Sequence, residues 1–196
     1  MDGKFTRNQA NGAPPLHEEW LTKLGVCVDR SKEQFVNHFK TRYGTPLPIW
    51  VSIEVWDFGL LSKFYSGMAY KHQEAVAQKF GVNQPGVMVS WLRTLNFVRN
   101  VVAHHCRLWN RNIIDQPKRP ARAQIADFDA LGATWDPARL YSALCIVSFL
   151  LRTCSPGSTW PNRLATHMAG FPVIALPGIN PSDMGCPNGW QAHPFW

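Results

Sequence analysis

The segment from Arg99 to Arg111 (RNVVAHHCRLWNR) gathers three arginines, two adjacent histidines and two asparagines within thirteen residues. These are the side chains that RNA cleavage without a metal requires. In that reaction the 2′-hydroxyl attacks the neighbouring phosphorus in line. It needs a base for the 2′ proton, an acid for the leaving 5′ oxygen, and positive charge on the phosphorane. Imidazole exchanges protons near neutral pH. Guanidinium grips two phosphate oxygens at once and keeps its proton. His104 is therefore the candidate for proton transfer and Arg99 the candidate for stabilising the developing charge. Asn100, one helical turn before His104, is placed to hydrogen-bond the imidazole or to contact the phosphate. His105, Arg107, Asn110 and Arg111 are candidate RNA contacts, and Lys118, Arg119 and Arg122 in the basic loop QPKRPAR extend that track.

The spacing predicts that one helix carries the segment. At about 100° per residue, Val98, Val102, Cys106, Trp109 and Ile113 share one side, and Asn100, His104, Arg107 and Arg111 share the other. The polar stripe has no acidic residue, whereas a solvated helix face usually mixes signs at i, i+4; a bound anion would account for that. Arg99 and His105 flank the apolar stripe, so each has a structural alternative. Arg99 could be a buried arginine paired with Glu54 or Asp57, and His105 a core or interface histidine. A His104-His105-Cys106 metal site is disfavoured, because adjacent helical residues point about 100° apart and no second Cys/His cluster completes a shell. Walker-type and dinucleotide-binding fingerprints are absent, as are Ser and Cys nucleophile signatures.

The rest of the chain reads as the scaffold for this helix. Residues 1–30 are expected to be flexible or loosely packed. A helix is expected over 31–41, with Ser31 as N-cap and Gln34 completing a capping box. Further helices are expected over 49–65 and 70–80, the latter stopped by Gly81. The motif helix begins near Pro85, a residue suited to a first helical position, and runs to about 112. Asp136-Pro137 opens a helix to about Thr153, and another spans 159–169. Residues 171–196 are rich in Pro, Gly and Trp and predict an irregular tail packed on the bundle. The fold class is therefore all-α, with the bundle over 31–170.

Composition agrees with a basic globular protein: 45% of residues are hydrophobic and the formal net charge is +7, which suits a polyanionic partner. The five cysteines are widely spaced and form no CxxC pair, which fits free thiols in a cytoplasmic protein; Cys106 and Cys145 are expected in the core. No apolar run is long enough to span a bilayer, so no membrane partner is expected.

Arg-Asn followed by His104 resembles the Arg-polar-x-x-x-His motif of HEPN domains, and the wider RNVVAHHCRLWNR resembles the signature of Abi-like proteins, the abortive-infection group of bacterial HEPN proteins. Two further segments are similar to that family: Pro46-Leu47-Pro48-Ile49-Trp50 with Glu54 and Phe58 to Tyr65, and Met184-Gly185-Cys186-Pro187 with Trp190, Pro194 and Trp196. The resemblance covers roughly residues 30 to 196. One departure is a short polar N-terminus where the family has a longer helical region. The resemblance implies a HEPN-like helical bundle and a metal-independent endoribonuclease of abortive-infection defence, acting on single-stranded RNA with no cofactor. It also implies a homodimer through the motif helix, since two facing helices would share the acid and base work. A regulatory RNA or an antitoxin partner is a further expectation. The alternative is a non-catalytic RNA- or partner-binding module.

Overall fold

A computed structural model describes residues 1, 3–6, 14–172 and 179–196. Residues 2 and 7–13 of the expected loose N-terminus, and 173–178 of the expected tail, lie outside the described residues. Among the described residues the regular structure is helical and none is strand, so the protein is all-α. The chain falls into two compact units, Met1–Gln73 and Glu74–Trp196.

The first unit holds α1 (Gly3–Thr6), α2 (Leu16–Arg30), α3 (Gln34–Tyr43), α4 (Ile49–Ser52) and α5 (Phe58–Gly67), and α6 (Tyr70–Lys79) leads out of it. Its N-terminal part is more ordered than its composition suggests, because Trp20 on α2 anchors a small core with Phe5, Cys27 and Leu60. The Trp20 indole donates to the Leu60 carbonyl at 3.0 Å. Its ring meets Trp56 edge-on at 5.0 Å and Phe64 at 5.3 Å. Gly67 is required where α5 passes the Phe5 ring, since a Cβ there would lie 2.6 Å from it.

Two expected helices are redrawn. Ser31 ends α2 instead of starting α3: its backbone N–H closes on the Cys27 and Val28 carbonyls, its hydroxyl accepts from Glu33 N–H, and α3 begins at Gln34. The expected 49–65 helix breaks at Trp56, which is extended. The Asp57 carboxylate takes the Leu60 N–H at 2.7 Å and starts α5 afresh. A good N-cap thus prevails over continuous apolar periodicity.

The second unit contains α7 (Pro85–Ala103), α8 (Ala126–Ala130), α9 (Leu140–Cys154) and α10 (Trp160–Ala169), with 3-10 turns at Pro181–Met184 and Trp190–Ala192. α7 packs on α9. Trp91 from α7 and Phe128 from α8 lie 4.9 Å apart, and Phe149 of α9 meets both rings edge-on. The segment after Asn180 folds back on α9. Phe195 joins this aromatic cluster, and the hydroxyl of Tyr141 pairs with His193 Nδ1 at 2.7 Å and accepts from the Trp196 indole at 3.2 Å. α9 starts three residues later than Asp136-Pro137 suggests, because the Asp136 carboxylate takes the Ala138 N–H in a turn.

Three elements end in the same way. α6 closes with Gly81 N–H on Gln78 and Val82 N–H on Ala77, and the 3-10 turn Pro181–Met184 closes with Gly185 N–H on Ser182 and Cys186 N–H on Pro181. α7 closes with His105 N–H on Val102 and Cys106 N–H on Val101. The pattern needs one residue in the left-handed region. Gly81 and Gly185 take it at φ 71° and 84°, and His105 takes it at 52°. For a residue with a Cβ, that conformation costs about 1 kcal/mol or more.

Candidate functional site

The motif helix stops at Ala103, nine residues short of the expected end. The Asn100, Val101 and Val102 carbonyls accept from His104, Cys106 and His105, each at 3.0 Å, and the chain turns away. The expected apolar stripe is correspondingly cut. Val102 is 55% exposed and Cys106 is exposed, not a core residue, whereas Cys145 is buried. The buried side of α7 is instead Val87, Met88, Trp91, Thr94 and Val101.

This end of the helix presents the central motif residues together. Arg99 is exposed, which removes the buried-arginine alternative, and its Nη1 donates to Asn100 Oδ1 at 3.0 Å. Asn100 is half-buried, and its amide oxygen orients the guanidinium and not the His104 ring. His104 caps the helix one turn beyond Asn100, to whose carbonyl its own N–H is bonded. Both His104 and His105 are exposed, so His105 has no core role.

Beyond the turn, helical spacing no longer places anything. Arg107 is exposed. Trp109 stacks on Phe171 at 4.6 Å with the rings nearly parallel. The Asn110 carbonyl accepts from Arg139 at 3.0 Å, and its Oδ1 is buried without a hydrogen-bond partner among the described residues, so Asn110 faces the protein interior.

The chain then returns along α7 as an irregular strap. The Arg111 guanidinium lies 5.8 Å from the Phe97 ring centroid, a cation–π distance. Asp115 pairs with Arg93 at 2.9 Å, and its carbonyl accepts from Thr94. The Lys118 N–H donates to Ser90, and its carbonyl accepts from the Trp91 indole, both at 2.9 Å. Ala121 N–H reaches Gln84 at 3.3 Å. Arg111 is thus brought back beside the motif helix by a route the periodicity did not contain, and Lys118 is exposed farther along it.

Arg119 has other work. Its guanidinium donates to the Gly132 carbonyl at 2.6 Å and to the Phe128 carbonyl at 2.8 Å, tying the strap to α8. Arg119 and exposed Arg122 line a cleft of about 520 Å³ with Pro120, Ala123, Asp129 and Gly132. Ser90, Arg93, Asp115 and Lys118 line a second, of about 330 Å³. Arg99, Asn100 and His104 line neither; Arg99 and His104 are exposed and Asn100 is half-buried.

The charge balance along α7 and the strap is one-sided. Between residues 85 and 125 the sequence has seven arginines and lysines against one acid, Asp115, and Arg93 already neutralises that acid. Sequence reading missed Arg93 and its pairing. The signal available for the strap was Pro117 and Pro120, which oppose helix on either side of Lys118. Among the described residues no group of three or more His, Cys, Asp or Glu could hold a metal ion, and no helix is long and apolar enough to cross a membrane.

The family model described as Abi-like protein matches residues 2–110. The match takes in the N-terminal helices, the Pro46–Tyr65 segment and the motif as far as Asn110. The similarity expected of the Met184–Trp196 tail lies outside it. No curated protein sequence and no solved structure matched the chain.

Proposed function

The chain belongs to the Abi-like protein family, and from that premise we propose that it is a metal-independent endoribonuclease of HEPN type, cutting single-stranded RNA in the cytoplasm in bacterial abortive-infection defence. One observation carries the reading: Arg99 and His104 are both exposed at the end of α7, and Asp115, the one acid between residues 85 and 125, is already paired. Asn100 holds one edge of the Arg99 fork. The remaining N–H groups of this exposed guanidinium suit the non-bridging oxygens of a phosphate, where negative charge grows as the phosphorane forms. His104 moves a proton in that step. Arg107, Arg111, Lys118 and Arg122 hold the flanking backbone, while Arg119 keeps the strap in place.

One imidazole serves poorly as acid and base in the same turnover. A homodimer through the end of α7, covering exposed Val102, would bring a second His104 to the site and exclude water. A regulatory RNA or antitoxin that covers the same surface would hold the enzyme silent.

The test is cleavage of a labelled single-stranded RNA in EDTA, with wild type beside His104→Ala. We expect the wild type to leave a 2′,3′-cyclic phosphate and the variant to bind RNA without cutting. Equal cutting by both would remove His104 from the chemistry.

The exposure of Arg99 and His104 outside the two clefts favours a second reading, a non-catalytic RNA-binding module. Its mark is a salt-sensitive complex, wild-type affinity in His104→Ala, and intact RNA with both proteins.

A further inference from the structure

We propose that His105 is a second proton-transfer residue, so that one chain supplies both the acid and the base. The inference rests on the ribonuclease reading and changes what that reading needs from a dimer. It comes from the way α7 ends. The left-handed closing position is glycine at Gly81 and at Gly185. At Gly185 packing also demands it, since a Cβ would meet Arg139 at 2.5 Å. At His105 the same backbone conformation is held by a residue with a side chain, and that side chain is exposed.

Histidine is among the residues that enter the left-handed region more readily than most, and here it does so with an imidazole that is exposed and not packed. Ala123 holds the same conformation at φ 63° with no titratable group, so the conformation of His105 draws attention to the position and its place beside His104 and Arg99 supplies the chemistry. His105 adjoins His104, with Cα atoms about 3.8 Å apart, and Arg99 lies six residues back, in the last turns of α7. The sharp turn also stops His105 from following helical direction. On a continuing helix it would flank the buried stripe; here it is exposed, as His104 is. The charged neighbours in this turn are Arg99 and Arg107, and the nearest acid along the strap, Asp115, is bonded to Arg93.

The chemistry closes with these two groups. One neutral imidazole takes the 2′-hydroxyl proton as the 2′-oxygen forms its bond to phosphorus. The other, protonated, gives its proton to the 5′-oxygen as the bond from phosphorus to that oxygen breaks. The products are a 2′,3′-cyclic phosphate and a 5′-hydroxyl end, and each imidazole has exchanged one proton. Arg99 offsets the charge on the non-bridging oxygens throughout.

His105→Asn separates the roles, because asparagine tolerates the left-handed conformation and has no group that titrates near neutrality. The expected result is a protein at least as stable as wild type, with kcat lowered about 10²–10⁴-fold and a pH–rate profile that has lost one of its two limbs. The limb that disappears identifies the step His105 serves. Mixing His104→Ala with His105→Asn should restore nothing, since neither chain holds both groups. A variant that keeps both limbs, or a mixture that regains activity, overturns this assignment while leaving the ribonuclease reading intact. A wild type that binds RNA and never cuts overturns both.

Discussion

At the scale of single residues, the most informative position is one where a side chain holds a conformation that glycine fills elsewhere in the chain. His105 occupies a backbone state that glycine fills at the end of α6. His105→Gly should therefore stabilise the fold, by about 0.5–1 kcal/mol once the greater freedom of glycine in the unfolded chain is counted. Urea unfolding checks this: the midpoint should rise with the slope unchanged. Gly81 was legible in the sequence as a stop because glycine announces the left-handed residue. His105 was not, because nothing in its side chain does so, and the apolar spacing through Cys106, Trp109 and Ile113 continued the helical pattern past the true end. Arg99 and His104 were legible as a pair since both still sit on or at the end of α7. Arg107 and Arg111 were read as one face with Asn100 and His104, and the early stop takes both arginines off the helix.

The elements show a division of labour among the basic residues that charge alone does not reveal. Arg119 commits its donors to the Phe128 and Gly132 carbonyls. Arg119→Ala should cost about 1–3 kcal/mol of stability, as removal of charge-assisted hydrogen bonds does, and thermal or urea unfolding would register it. Arg107→Ala and Arg122→Ala should leave stability within about 0.5 kcal/mol. Each should make the dependence of log RNA affinity on log salt shallower by about 0.7, the slope that one neutralised phosphate of a single strand carries. A titration series at several salt concentrations reads this directly. Similar competition between local signals split the expected 49–65 helix. Its apolar residues keep helical spacing from Trp50 to Phe64, yet Asp57 offers the backbone a better start at Leu60. For this segment helix existence was legible and the boundaries were not, because caps act through backbone angles that composition does not display; α2 and α8 lie in stretches not read as helix at all.

On the scale of the whole molecule, the second unit is fastened by bonds between distant parts of the chain. Tyr141 on α9 is bonded to His193 and Trp196, and burial lowers the His193 pKa from its ordinary value of 6.5. In the unfolded chain the imidazole takes a proton near that value, and in the folded one only at lower pH. The unfolded state thus binds more protons between the two, and stability falls as pH drops through 6.5 and below. The Tm should decline on going from about pH 7 to about pH 5, and His193→Asn should flatten that decline; an unchanged slope would assign it to other groups. The aromatic content predicted that the tail would pack, but not onto which helix, since a partner dozens of residues away leaves no local mark. The strap along α7 has a different consequence, one for descent. It is tied to the helix at Phe97, at Arg93 and Thr94, at Ser90 and Trp91, and at Gln84 just before it, so it has no slack. One residue inserted between Arg111 and Lys118 would put its later ties out of step. Related sequences should therefore differ here by substitution while keeping the number of residues between Arg111 and Ala121 constant.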